Sequence, residues 1–242
     1  MRRRAFLRDA ALLLGGLAAG GAACASLPAE APIAVAQPLP DNESLTYNLL
    51  DNKGNKIGTA TISIQRNGDA LALTQNYTDL QGHTDNGTVT VDAATLRPRS
   101  VQHEIQTADL NTTLQETYSS NTVTAVAHDG STHQHSATIT NASYDDLESF
   151  FLMRVVDFTT GKQYHFDLVV ADAAQATISR AASTIQVQGT TPITLGGRSI
   201  RCWQVQLSGA GASNTAWFED APGRRLLRYN NSRGTVLELA NP

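Results

Sequence analysis

From residue 46 onward, hydrophobic and polar positions alternate in short runs. In "IGTATISIQ" (57–65), Ala60, Ile62 and Ile64 fall on one side of an extended chain, and Thr59, Thr61 and Ser63 on the other. That period of two belongs to a strand with one buried and one wet face. "RNGD" (66–69) follows, and Asn-Gly accepts the positive φ that a tight hairpin needs. The alternation recurs in "ALALTQNY", "GTVTVD", "SVQHEIQ", "TTLQETYS", "TVTAVAH" and "HSATIT", punctuated by "QGHTDN", "TLRPR", "SSN" and "HDGS". This spacing predicts an antiparallel meander.

One stretch changes period. In "NASYDDLESFFLMRVVDF" (141–158), Leu147, Phe150, Phe151, Arg154 and Val155 recur at helical spacing. Ser143 can cap this helix, and Asp145, Asp146 and Glu148 lie where a helix dipole favours acid. Arg154 falls on the apolar stripe, where its stem is expected to pack and its head to reach water. A buried pair with a carboxylate such as Asp92 or Asp157 is the alternative.

Strands resume after Gly161. Tyr164, Phe166, Leu168 and Val170 share one face; "DAAQATISRAA" (172–182) fits helix or strand equally. In "RCWQVQL", Trp203, Val205 and Leu207 oppose Cys202, Gln204 and Gln206, and in "AWF" Ala216 and Phe218 oppose Trp217. Apolar groups on both sides of these strands predict packing against each side. The fold class expected from this pattern is mostly β: antiparallel strands with one amphipathic helix.

The N-terminus adds an address. Arg2, Arg3, Arg4 and Arg8 precede an apolar run from Ala10 to Ala23, too short for a permanent span. "RRAFLR" resembles the twin-arginine export signal, carried by Arg3, Arg4, Phe6 and Leu7; an ordinary secretory signal with a basic start is the alternative. "GAAC" resembles a lipobox in which Cys24 becomes the lipidated first residue, although Gly21 stands where Leu is usual. Cleavage after Ala23-Cys24-Ala25 would instead discard that cysteine. Pro28, Pro32, Pro38 and Pro40 then make an extended linker. The resulting organisation is an export signal over 1–24, a linker over 25–41 and a single β-rich domain over 42–242. Cys202, alone in an oxidising compartment, is expected to be buried.

Charge narrows the function. The chain has 18 basic and 22 acidic residues, and losing the signal removes four Arg and one Asp, leaving about −7. An acidic domain does not suit general nucleic-acid binding, which needs a basic face. Aromatics are 6% of residues and no girdles flank the strands, which does not suit an outer-membrane barrel.

Several motifs in order, "GTATISI", "VDAATLRPRSV" (91–101), "YDDLESFFLMRVVDFTTGKQY" (144–164), "CWQVQLSG" and "AWFEDAPGRRLLRY" (216–229), resemble an uncharacterised family of bacterial exported β-domains. The family is similar in shape to the lipoprotein-localisation carriers. The resemblance covers nearly all of residues 44–239 and implies a fold class of strongly curved antiparallel sheet or incomplete β-barrel, with one amphipathic helix against its concave side. It transfers no catalytic residues.

Other candidate chemistry is thin. His133 and His135 share one face of a strand, and His103 and His128 could join them. Two imidazoles fall short of the three protein ligands of catalytic zinc or the four of structural zinc, and no metal or cofactor is expected. "HEIQT" (103–107) departs from a zincin motif at Thr107. No nucleophile elbow or phosphate loop is present, so no catalytic residue is assigned. Arg198, Arg201, Arg224, Arg225, Arg228 and Arg233 concentrate late, where they could meet anionic lipid headgroups or simply sit solvated. If the sheet curves without closing, Phe150, Phe151, Leu152, Trp203, Trp217 and Phe218 could line a groove for an acyl chain, each methylene worth about 0.8 kcal/mol.

The expectation is therefore a non-enzymatic periplasmic or membrane-anchored envelope protein binding a lipid or other apolar molecule. The alternatives are a ligand-free interaction module with an envelope protein partner and, more weakly, a metal-dependent hydrolase at the His-rich edge. The twin-arginine machinery would be its export partner.

Overall fold

A computed structural model describes residues 31–209 and 211–242; Arg3, Arg4, Phe6, Leu7 and Cys24 lie outside them. The strands are β1 (Asn42–Leu50), β2 (Lys56–Asn67), β3 (Ala70–Asp79), β4 (Thr84–Asp92), β5 (Pro98–Gln106), β6 (Asn111–Tyr118), β7 (Thr122–His128), β8 (Thr132–Thr138), β9 (Ser143–Asp145), β10 (Gln163–Ala171), β11 (Ile178–Leu195), β12 (Arg198–Gly209), β13 (Ala212–Glu219), β14 (Leu226–Asn230) and β15 (Val236–Leu239). A 3₁₀ turn (Asp146–Glu148) leads from β9 into one short helix, α1 (Ser149–Val155).

All fifteen strands form one sheet in the order β8-β7-β6-β5-β4-β3-β2-β1-β15-β14-β13-β12-β11-β10-β9. The chain meanders outward from β1 to β8, crosses over, and meanders back from β10 to β15, which pairs with β1 through Tyr47↔Leu239. Every pairing is antiparallel except β9 with β10. Bulged registers at Leu49/Leu50, Thr90/Val91 and Val187/Gly189 help the sheet curl. Its two ends meet through side chains and not through a ladder. Val123 and Ile139 pack on Val169, and Arg180 donates to the Thr138 carbonyl at 3.1 Å. The result is a curved, open antiparallel sheet, as the resemblance implies.

The alternation holds in detail. Ala60, Ile62 and Ile64 are buried while their neighbours on β2 are partly exposed. The ambiguous 172–182 stretch is a turn followed by the start of β11. Cys202 is buried, its Sγ 3.0 Å from the Thr191 carbonyl.

The crossover must link the two far ends of the curved sheet, and it does so across the concave side. All seven residues of α1 are buried there. Burying Phe150, Phe151, Leu152, Met153 and Val155 is worth about 1.5–3 kcal/mol each before chain entropy is counted. The helix is shorter than its apolar spacing suggests. Ser143 belongs to β9, and Asp145 caps the 3₁₀ turn instead, with a reciprocal bond from Glu148.

The last part of the proline-rich stretch lies against the domain. Ile33 and Leu39 are buried in the main core, and the amides of Ala36 and Gln37 donate to the Val155 carbonyl at 2.9 and 3.1 Å. This strap satisfies a carbonyl that the end of α1 leaves open.

Candidate functional site

The plug, Ser143 to Val155, is tied into the half-barrel at both ends. At its C-terminal end Arg154 makes a bidentate pair with Glu43, at 2.5 and 3.0 Å, and its Nε donates to the Gly223 carbonyl at 3.1 Å. The Arg154 head therefore does not reach water; it makes the alternative, a buried carboxylate pair, with Glu43 in place of Asp92 or Asp157. Those carboxylates serve Arg99 and Lys162. Arg224 lies over the Phe158 ring at 3.8 Å and donates to the Val156 carbonyl at 2.7 Å.

At the N-terminal end polar groups gather inside the sheet. Gln75 donates to the Leu147 carbonyl and accepts from Tyr77 Oη at 2.7 Å. Leu147 itself rests on Gly87, where an added Cβ would stand 2.8 Å from its Cδ2. Around this turn lie five carboxyl groups: Asp85 on β4, Glu116 on β6, Asp145 on β9, and Asp146 and Glu148 in the turn. Asp85, Glu116, Asp145 and Glu148 are buried and Asp146 is half-buried. Among the described residues no Lys or Arg bonds to any of them; the one basic partner is His103, whose Nε2 is 2.6 Å from Asp85 Oδ1.

Tyr118 Oη stands 2.6 Å from Asp145 Oδ2 and 3.1 Å from Glu116 Oε2. A phenol has one proton, so it cannot donate to both. A proton on Glu116 completes the chain, Glu116 donating to Tyr118 and Tyr118 to Asp145. Asp145 also accepts from the Leu147 amide at 2.9 Å, and its own amide donates to Glu148 Oε1 at 2.7 Å. Glu148 Oε2 and Asp85 Oδ2 are buried without a partner, which is costly for a charged oxygen.

The protonation equilibria follow. Burial pushes Asp145 up to about 6 against the bonds from Tyr118 and Leu147. Burial, reinforced by neighbouring carboxylates, holds Glu116, Asp146 and Glu148 well above the ordinary carboxyl range. For His103, burial works to lower its pKa, but Asp85, Asp146 and Asp145 outweigh it and the net shift is upward.

The six residues expected to line a groove are placed otherwise. Phe150, Phe151, Leu152 and Phe218 are 2% exposed or less; Trp203 and Trp217 are half-buried against the same core. Phe150 meets Tyr229 edge-on at 4.3 Å. A surface cavity of about 360 Å³ involves Trp203, with Gln37, Phe158, Asp220, Pro222 and Arg224. A second, of about 450 Å³, is lined by Asn42, Glu43, Ser44, Ser63, Ile64 and Gln65. The other five groove candidates line neither.

The histidines do not converge. His133 and His135 sit on the exposed edge strand β8, while His103 is held by Asp85 three strands away. Among the described residues no three His, Cys, Asp or Glu side chains are placed to hold a metal ion. Several late arginines are paired, Arg201 with Asp220, Arg225 with Glu219 and Arg228 with Glu238.

The carboxyl cluster was missed by motif reasoning, although a signal exists. Asp85 is in phase with Val89 and Val91, Glu116 with Leu114, and His103 with Val101 and Ile105. Ionisable residues on the inward phase of alternating strands mark a buried polar site.

Residues 44–232 match a family model described as a protein of unknown function, DUF3108. No curated protein matches the sequence. Among solved structures, a β-barrel-like protein of the DUF1849 domain from Brucella abortus is similar at 9% identity and a TM-score of 0.55, over 84% of this chain and 97% of that one. That likeness is one of fold. The hypothetical lipoprotein YmcC of Escherichia coli aligns over 99% of this chain and 93% of its own, at 14% identity and a TM-score of 0.37.

Proposed function

The chain belongs to the DUF3108 family, and since that membership carries no assigned activity, we propose from the chain's own geometry that it is a non-catalytic envelope module with a self-filled interior. The observation that carries this reading is the complete burial of α1 in the concavity. Where an acyl chain would lie, Phe150, Phe151 and Leu152 already lie. A partner would then be met by the outer face, where Thr, Asn and Gln predominate.

Export and anchoring belong to the same proposal and rest on the sequence. With Cys24 lipidated, nine residues lead to Ile33, where the docked strap begins. At 3.3–3.6 Å per residue the domain would sit within about 30 Å of the membrane.

An apolar fluorescent probe, 1-N-phenylnaphthylamine, tests the filled interior. At pH 5 the folded protein is expected to give no saturable uptake. Binding of one probe per chain, abolished by Phe151→Trp, would overturn the reading in favour of a lipid carrier.

A further inference from the structure

The carboxyl cluster surrounds the 3₁₀ turn between β9 and α1, and this placement gives it a consequence beyond stability. We propose that Ser143–Val155 is a proton-operated latch, seated in the concave sheet while its carboxyl cluster holds protons and loosened when they leave, so that the apolar concave face it covers opens. The inference rests on the filled-interior reading and adds a way to undo it.

The geometry supplies the argument. Five carboxyls and one imidazole share a site to which no Lys or Arg bonds among the described residues. One phenolic proton stands between two carboxyls. Two carboxyl oxygens are buried without partners. No three of these groups are placed to hold a metal ion, which leaves protons as the counter-charge the cluster can take up in place.

The groups facing the latch are these. β3 offers the neutral Gln75 and Tyr77, β4 Asp85, β5 His103, and β6 Glu116 and Tyr118. On β10, Asp167 is in register with Ser143 and is neutralised by Arg180. Arg97 approaches Tyr144 and donates to the Thr140 carbonyl at 3.5 Å. Within the helix Arg154 is occupied by Glu43, Arg224 donates to the Arg154 carbonyl at 3.3 Å, and Tyr229 on β14 meets Phe150. Asp145, Asp146 and Glu148 are the latch's own.

The sign is fixed by the raised folded values. The seated state keeps protons that the loosened state releases near pH 4, so the latch is strongest below about pH 4 and weakens as pH rises through the folded values. Asp145 alone, at about 6, corresponds to about a 50-fold rise in the open fraction between pH 4 and pH 8. Glu116, Asp146 and Glu148 add to it. His103, also raised, acts in the same direction, its contribution fading as pH rises through its folded value.

Hydrogen exchange by mass spectrometry on the full mature protein, each amide referred to its unstructured rate at the same pH, tests this. Protection over 147–155 should fall at least about 50-fold between pH 4 and pH 8 while β2 and β3 stay protected. The variant Glu116→Gln/Asp146→Asn/Glu148→Gln, which imitates the protonated groups, should lose most of that dependence. Plug protection that is flat with pH, that falls in acid, or that falls only together with the sheet would overturn the latch. So would a triple variant that responds to pH as the parent does. If the triple variant does not fold, the parent's plug-against-sheet comparison decides alone. Saturable probe uptake at pH 5 would sink the filled-interior reading instead, so the two failures are distinguishable.

Discussion

Replacing Glu43 by Ala should destabilise the domain far more than removal of a surface charge. Arg154 has a side chain only 7% exposed, and Glu43 only 16%. Taking away the carboxylate leaves a buried guanidinium with the Gly223 carbonyl as its remaining partner. Breaking such a pair from one side costs about 3–5 kcal/mol, against about 0–1 kcal/mol for an exposed pair. The partial exposure of Glu43 points to the lower end, about 3 kcal/mol. Removing both charges in Glu43→Leu/Arg154→Met should recover most of the loss, because the penalty comes from the orphaned charge. Urea unfolding of Glu43→Ala, and of Glu43→Leu, Arg154→Met and their double analysed as a mutant cycle, measures this. A loss below about 1 kcal/mol for Glu43→Ala, or a double variant no better than the worse single, would refute the claim that the plug's C-terminal end is fixed by a buried ion pair.

Gly87→Val should push Leu147 from its seat and cost about 1–3 kcal/mol, read as a lowered Tm, with part of the loss restored by Leu147→Ala. Cys202 is buried and its thiol is pushed up to about 11 by that burial, so it should resist Ellman's reagent in the native protein and react at once in urea; rapid native reaction would contradict its placement. Asp92 is held down to about 2, chiefly by its bond from Arg99. Its stabilisation is present above about pH 4 and lost as pH falls toward 2. Asp92→Asn should therefore cost under about 1 kcal/mol at pH 6, given how exposed the Arg99 pairing is, and progressively less as pH falls toward 2.

The strands were legible because their information is local. Ala60, Ile62 and Ile64 state their own face, and Asn67-Gly68 states the turn. The helix was half legible: its apolar stripe is local, but its start is decided by Asp145 and Glu148 closing a capping box, which shortens it to Ser149–Val155. Arg154 was misread because its partner lies 111 residues away on β1. A stripe position shows that a side chain turns inward, and it is silent about what waits there. The carboxyl cluster is non-local in the same sense, since Asp85, His103 and Glu116 meet only once β4, β5 and β6 are in register. The aromatic set was recognised as apolar and central. Whether it lines an opening or fills one depends on where the crossover runs, and that is fixed by the linking of the two outer ends of the sheet.

The filled interior is tested most directly by native mass spectrometry of the mature protein, extracted from bacterial envelopes and kept at mildly acidic pH. The account predicts a mass equal to the processed polypeptide plus any covalent anchor, with no releasable adduct. A stoichiometric lipid or other apolar molecule that leaves on collisional activation, and whose loss restores exchange protection over 147–155, would contradict it.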